Sequence, residues 1–497
     1  MGYTLGVDIG TFESKGVLVE DGGRIVAQAS RAHEMIVPRA GWAEHRAEEN
    51  WWGDFVFITR RLIADSGIDP SKIRAVATSA IGPCMLPVDA DGAPLINGVL
   101  YGVDTRAARE IEDLNAEIGA DTILARCGNA LTSQSVGPKI LWFRRNHPDL
   151  WVRTARILTS TSYITSRLTG EYVIDHYTAA NFSPLYDMAR QDWCFDLSDI
   201  CPPEMLPKLM WSTDIAGHVT EAAARETGLA AGTPVTCGTI DAAAEAVSVG
   251  VRGPGDMMMM YGSTIFIILL SDKPLSDPRL WHAPWLFQGQ HAAMAGLATS
   301  GTLTHWFRDR FARELDRDGA FGVLAREAEA SPPGARGLIC LPYFSGERTP
   351  IHDSSAKGTF FGLDLTHDRG DMYRAVLEGI ASATRHIADT YADAGQTPAR
   401  VLAVGGGTKN RPWLQATSDL TGLDQIVCSV TTGASYGDAF LAALAVGQVK
   451  PDDIESWNPA GETIAAQEHA AYARQYPLFL QLYERTRDIM AALGHDT

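Results

Sequence analysis

Two strand–turn–strand units, set about half the chain apart, limit what this sequence can fold into. The first, GVDIGTFESKGVLVE over residues 6–20, joins two apolar strands through a tight turn. It carries Asp8, Thr11, Glu13 and Lys15, more polar groups than a hairpin requires. The second comprises Met257–Met260, a Tyr-Gly-Ser-Thr turn and Ile265–Leu270, which echo the first in shape and not in sequence. Just before it, Val235–Ile240 leads into an Ala-rich helix from Asp241, and Val251-Arg-Gly-Pro-Gly makes a break. At 497 residues the chain is long enough for two or three domains of roughly 100–200 residues each. The restart near residue 250 therefore divides it into two lobes, 1–250 and 251–497.

Periodicity supplies the coarse order of elements. A meander is predicted over Tyr3–Ile9, Ser14–Glu20 and Ile25–Ser30, followed by a helix over Glu48–Ile63 and a strand over Ile73–Thr78. Shorter strands are predicted at Met85–Val88 and Ile96–Leu100, and helices at Lys139–Asn146 and Ser162–Leu168. The second half adds helices at Arg369–Ala392 and Gly437–Val446, a strand at Arg400–Val404 ending in Gly405-Gly-Gly, and a helical tail from about Glu462. Strands mixed with helices indicate an α/β protein.

Composition excludes several classes of function. The net charge of −18, with no clustered Lys or Arg, argues against a nucleic-acid surface. The seven cysteines are odd in number and contain no C-x-x-C pair, so neither a disulfide framework nor a zinc site is indicated, which fits a reducing cytoplasm. Asp8 interrupts the only leader-like apolar run, and Met257–Leu270 is too short and too interrupted to span a bilayer. A cytoplasmic protein with no membrane partner is expected.

The chemistry concentrates in the turns. A tight glycine-containing turn can hold phosphate with its backbone N–H groups, aided by hydroxyl and ammonium donors. The Asp8-Ile-Gly-Thr-Phe-Glu-Ser-Lys segment has that inventory, plus a carboxylate able to hold Mg²⁺ through water. Alone it is equally a plain hairpin. The Tyr261-Gly-Ser-Thr turn and the Gly405-Gly-Gly-Thr-Lys-Asn410 shelf supply matching partners, although the triple glycine is also a common strand-to-helix turn. No G-x-x-x-x-G-K-[ST] sequence exists, so ATP would bind without a P-loop.

Together these residues resemble the FGGY carbohydrate kinases, members of the actin-like ATPase clan. The segment from Gly358 to Glu378 (GTFFGLDLTHDRGDMYRAVLE) fits the family's second signature throughout, and Leu341–Pro350 (LPYFSGERTP) precedes it as in the family. Lys139–Asn146 (KILWFRRN) is similar to most of the first signature, with Val136 departing from a small polar position. Gly41-Trp-Ala-Glu-His and Asp187 match further landmarks, so the resemblance covers nearly the whole chain.

The resemblance implies a two-lobed actin-like (ribonuclease H-like) fold, with ATP and sugar in the cleft between the lobes. It assigns Asp241 as the base that accepts the proton of the attacking sugar hydroxyl, where the residues alone read first as a helix N-cap. Asp8, together with Asp241, would serve Mg²⁺. Gly10, Thr11 and Lys15 would form the first phosphate loop, and Gly262, Ser263 and Thr264 the second. Gly301, Gly405, Gly406, Gly407 and Asn410 would contact ATP from the C-terminal lobe. A homodimer is common in the family, though no local feature of this sequence establishes one.

On the sugar side the chain departs from the family. Many pentulose kinases carry Gln-Met-His-Gly where this chain has Ala80-Ile-Gly-Pro-Cys84, which leaves Gly82 and Pro83 as wall residues and removes an amide and an imidazole. Asp104-Thr-Arg106 resembles the family's D-x-R and reads either as a pair that orients hydroxyl groups or as a structural salt bridge. Asn181 and Phe182 are further pocket candidates, and Tyr101 stands near the family's usual tryptophan. Glu13, where the family places a small residue, is expected to turn away from the phosphates with Lys15 as its partner.

The expected activity is ATP-dependent phosphorylation of a small sugar, a pentulose such as xylulose or ribulose. Other ketoses and polyols (a tetritol, a hexulose or glycerol) are the alternatives within that class. An actin-like structural or chaperone ATPase is the alternative outside it, and a sugar sensor without activity is compatible with the altered Ala80–Cys84 segment.

Overall fold

The computed structural model describes residues 2–275 and 277–493. Two seven-stranded mixed sheets organise it. The first begins with the antiparallel meander β1 (Tyr3–Ile9), β2 (Glu13–Glu20) and β3 (Ile25–Ala32). Helix α1 (Gly53–Ser66) then returns the chain so that β4 (Ile73–Ala80) lies parallel to β1 on its free side. After α2 (Val136–Asn146) and α3 (Ser160–Thr169), the edge strand β5 (Ile215–His218) leads to β6 (Pro234–Thr236), which runs parallel to β4. The short strand Thr239–Ile240 pairs with the end of β4 and delivers the chain into α4 (Asp241–Ser248).

The second sheet repeats this plan. β7 (Asp256–Tyr261) and β8 (Ile265–Ser271) form a hairpin, β9 (Trp281–Pro284) lies at the edge, and β10 (His291–Leu297) pairs antiparallel with β8. Helices α5 (Gly301–Phe311), α6 (Ala320–Ala330) and α7 (Arg369–Asp393) precede β11 (Arg400–Val404), which lies parallel to β7. Then come α8 (Arg411–Thr421), the parallel strand β12 (Gln425–Cys428), α9 (Ala434–Ala445), the edge strand β13 (Ala460–Ile464) and α10 (Ala470–Leu493). Five consecutive strands therefore share one arrangement, β3-β2-β1-β4-β6 in the first sheet and β10-β8-β7-β11-β12 in the second.

Helix α9 joins the halves. It comes late in the chain yet packs on β1 and crosses α4. Glycines permit the approach: a Cβ on Gly6 would stand 2.0 Å from the Ser435 carbonyl, and one on Gly437 would stand 1.9 Å from the Ala244 carbonyl. One apolar cluster consequently runs from Val17, Ala75 and Ala77 through Ala243, Ala246 and Ala439 to Met258 and Leu402. No helix among the described residues is long and apolar enough to cross a membrane.

The predicted tail needs correction. Residues 460–464 are not helical but pair antiparallel with β12, Gln425 opposite Ile464, and the terminal helix starts only at Ala470. The free edge of β12 supplied hydrogen-bond partners that no local pattern announces.

Candidate active site

Four carboxylates from three elements gather beneath the meeting point of the lobes. Asp8 ends β1, Asp241 opens α4, Glu245 lies one turn further along that helix, and Asp438 belongs to α9. Ser79 at the end of β4 ties two of them: its hydroxyl donates to Asp438 Oδ2 at 2.7 Å and approaches Asp8 Oδ1 at 3.2 Å, while its N–H donates to Asp438 Oδ2 at 3.1 Å. Burial, reinforced by Asp241, Asp438 and Glu245, holds the Asp8 carboxyl well above the usual carboxylate range. Burial likewise raises Asp241 to about 7, against the Ala242 N–H that donates to its Oδ1 at 2.7 Å and with Glu245 adding to the rise. Asp241 is the first helical residue of α4, and Ile240 precedes it as the cap. The Asp241 side chain is thereby spent on its own neighbour's N–H and not on a capping bond to the following turn.

The cluster fits a hydrated cation. Buried carboxyls that repel one another are relieved by positive charge, and Asp438 Oδ1 is buried with no hydrogen-bond partner. Among the described residues, however, no three His, Cys, Asp or Glu side chains converge as a closed metal cage. A divalent ion would be held here through water, with phosphate oxygens completing its shell.

The β1–β2 turn stands above this cluster. Gly10 N–H closes it onto the Glu13 carbonyl at 3.2 Å, and a Cβ on Gly10 would lie 2.5 Å from that oxygen. Thr11 Oγ1 shares a hydrogen bond of 3.2 Å with the Tyr101 hydroxyl. Lys15 Nζ lies 3.3 Å from Glu13 Oε2, and the Glu13 carboxyl is held below its ordinary value by a hydrogen bond from Ser30 and by Lys15. The predicted partner of Glu13 is thus its partner in the structure.

A cavity of about 500 Å³ opens in the second lobe. Gly262, Ser263, Gly301, Gly406, Gly407 and Asn410 all line it, with His305 and Phe321 as further walls. The second hairpin caps α5 directly: Gly301 N–H donates to the Gly262 carbonyl at 3.1 Å and Thr302 N–H to the Ser263 carbonyl at 3.0 Å. Gly406 has open space where a Cβ would stand, whereas a Cβ on Gly405, at φ 97°, would stand 2.7 Å from the Tyr261 carbonyl, so Gly405 forms the back of the turn. Asn410 caps α8 and donates to the Tyr373 hydroxyl at 3.1 Å.

A second cavity, about 240 Å³, has Asp241 in its wall. Gly82, Pro83, Asn181 and Asp241 line it as expected, and so does Thr264, which falls on this wall and not on that of the larger cavity. Sequence reading singled out neither Gln134 nor Arg348 for this wall. Arg348 sits in the Gly-Glu-Arg-Thr-Pro stretch, which was legible as a motif but not as a wall. Its guanidinium makes no hydrogen bond or ion pair among the described residues.

Three expected pocket residues lie elsewhere. Phe182 is fully buried and packs edge-on against Trp193, 5.4 Å between ring centroids. Asp104 and Arg106 form a buried pair at 2.7 Å, with Arg106 also on Glu44 at 2.9 Å and Asp104 accepting from Ala43 N–H at 2.7 Å. Arg106 Nε and Nη2 and both Asp104 oxygens are used inside the protein, and neither residue lines the cavity that holds Asp241.

Two lobes of one topology, facing each other across a carboxylate cluster and glycine-rich turns, define a phosphotransferase of the actin-like ATPase fold. The N-terminal domain of the FGGY family of carbohydrate kinases matches residues 3–248 and the family's C-terminal domain matches residues 257–446. The chain therefore belongs to the FGGY family of carbohydrate kinases. It is 29% identical to the xylulose kinase of Bacillus subtilis, over 99% of both chains. It is 25% identical to a gluconokinase of the same organism, over 97% of this chain and 95% of the other. The crystal structure of xylulose kinase from Rhodospirillum rubrum superposes with a TM-score of 0.92 at 32% identity, covering 98% of this chain and 99% of that one. Kinases of this family imply ATP use.

Proposed function

We propose that the protein transfers the γ-phosphoryl group of ATP to a hydroxyl of a small sugar, a pentulose such as xylulose or ribulose. The single observation that carries this reading is Asp241. Its carboxyl lines the smaller cavity with an affinity for protons near neutrality, poised to accept one from a bound hydroxyl and release it again. The sugar would be oriented by Gln134, Asn181 and Tyr101, which line the cavity. The nucleotide would lie along Gly406–Gly407 with its phosphates between the two hairpins. Mg²⁺, served by Asp8 and Asp241 through water, would neutralise the phosphate charge. Similarity to xylulose kinases along the whole chain supports the pentulose.

One observation favours a second substrate. The unpartnered Arg348 guanidinium in the cavity, with the similarity to a gluconokinase, suits a sugar acid whose carboxylate it would bind. An ADP-release assay over pentuloses, hexuloses, tetritols, glycerol and gluconate separates the two. A pentulose should give the highest kcat/KM, and highest kcat/KM on gluconate would replace the first reading with the second. The Asp241→Asn variant should lose at least about 10³-fold in kcat while still binding MgATP. Sugar-dependent turnover in that variant would remove Asp241 from its role, and ATP hydrolysis indifferent to every sugar would point to a structural or chaperone ATPase.

A further inference from the structure

The first hairpin turn is held from below by an arrangement that the reaction chemistry does not require. All four carbonyls of residues 10–13 are occupied. The Gly10 carbonyl meets His33 Nε2 at 3.1 Å, the Thr11 carbonyl meets His45 Nε2 at 3.0 Å, the Phe12 carbonyl accepts from His33 N–H at 2.9 Å, and the Glu13 carbonyl accepts from Gly10 N–H at 3.2 Å. The N–H groups of Thr11 and Phe12, by contrast, have no acceptor among the described residues. A turn whose carbonyls are all turned inward and whose successive N–H groups remain free is an anion-binding concavity.

The two imidazoles are themselves locked. Trp51 Nε1, which can only donate, points at His45 Nδ1 at 3.1 Å, so the ring proton of His45 resides on Nε2 and is given to the Thr11 carbonyl. His45 and Trp51 are fully buried. His33 Nδ1 lies 2.7 Å from Asp54 Oδ2, and Asp54 also accepts from Ser14 Oγ at 2.8 Å and pairs with Arg31 at 3.3 Å. The rings contact each other edge-on with centroids 4.8 Å apart. Burial, with His33 beside it, keeps His45 uncharged down to about pH 4, so its Nε2–H persists across the physiological range.

We propose that His33 and His45 are positioning residues for nucleotide phosphate: by gripping the turn through its carbonyls they hold the Thr11 and Phe12 N–H groups toward the β- or γ-phosphate. This rests on the reading that ATP phosphates meet this turn. Neither imidazole lines either cavity, so their effect runs through the turn and falls first on nucleotide affinity.

The test uses the full-length protein with MgADP and MgATP as probes, by calorimetry without sugar and by steady-state kinetics with it. His45→Leu should weaken MgATP binding about tenfold or more and raise the KM for ATP by a similar factor, with a smaller rise in the KM for sugar, which the turn reaches only through the Thr11–Tyr101 hydrogen bond. His45→Gln should restore most of the affinity, since its amide can donate to Thr11 while its oxygen accepts from Trp51. A folded His45→Leu protein with unchanged affinity would overturn the proposal, as would a Gln variant as impaired as the Leu one. Hydrogen exchange on the unmodified protein decides the matter if His45→Leu does not fold. MgADP should protect the 10–13 amides and sugar alone should not, and absence of protection in a protein that binds MgADP would also overturn it. Failure of the wild-type protein to bind either nucleotide would instead remove the functional reading beneath it.

Discussion

Glu347 illustrates how a single buried carboxyl ties stability to pH. It accepts hydrogen bonds from the Ala298 and Arg348 N–H groups at 2.6 and 2.7 Å, yet its Oε2 is buried without a partner. Burial raises its carboxyl to about 7. The folded chain therefore keeps a proton that the unfolded chain releases between about pH 4.5 and 7, and stability falls as pH rises through that window. Glu347→Gln retains the acceptor and removes the charge. It should stabilise the protein by about 1–3 kcal/mol at pH 8 and change little at pH 4.5, as read from denaturant midpoints. Equal effects at both pH values would show that the carboxyl titrates normally. Tyr101 shows a different residue-scale logic. The buried Lys139 ammonium holds the Leu100 and Tyr101 carbonyls at 2.6 and 3.0 Å, which fixes the phenol between Thr11 and the smaller cavity.

Among the elements, α9 bears the most. Its Gly437 meets the Ala244 carbonyl so closely that even a methyl group must displace backbone. Gly437→Ala should cost about 1–3 kcal/mol despite alanine's better helix propensity, and should disturb Asp241 through α4. Thermal unfolding and kcat measured together check this, and a variant more stable than the wild type would refute the close crossing. The elements also show what local pattern can reveal. β1, β4, β7, β8 and β11 were legible to within two residues at either end, because long apolar runs between turn residues leave few alternatives. Residues 460–464 were not, because their pairing partner lies some 40 residues upstream and four of the five remain exposed. Local sequence carries little of an edge strand that buries almost nothing.

At the scale of the whole molecule, the smaller cavity, proposed to take the sugar, draws on both lobes. Gly82, Gln134 and Asn181 come from the first half, and Thr264, Trp281 and Arg348 from the second. Arg348→Ala should raise the KM for sugar about tenfold and leave MgATP affinity in the absence of sugar unchanged. A change in nucleotide affinity alone would place Arg348 with the phosphates. Sequence by itself determined the two strand–turn–strand units, the restart near residue 250 and the glycine-rich turns, since each is a local pattern of apolar spacing or turn residues, whereas Asp241 was singled out only through the family resemblance. Only the tertiary structure decided which candidates share a wall. Phe182 and the Asp104–Arg106 pair went into the interior, Thr264 went to the smaller cavity, and Arg348, Ser79 and Asp438 arrived from distant segments. The two histidines beneath the first turn belong to that second group. His33 is unremarkable as a letter and His45 only ends a family landmark, and folding alone brings both rings to within 3.1 Å of the carbonyls at residues 10 and 11. Hydrogen bonds act over a few ångströms, and such proximity is a property of the fold and not of spacing along the chain.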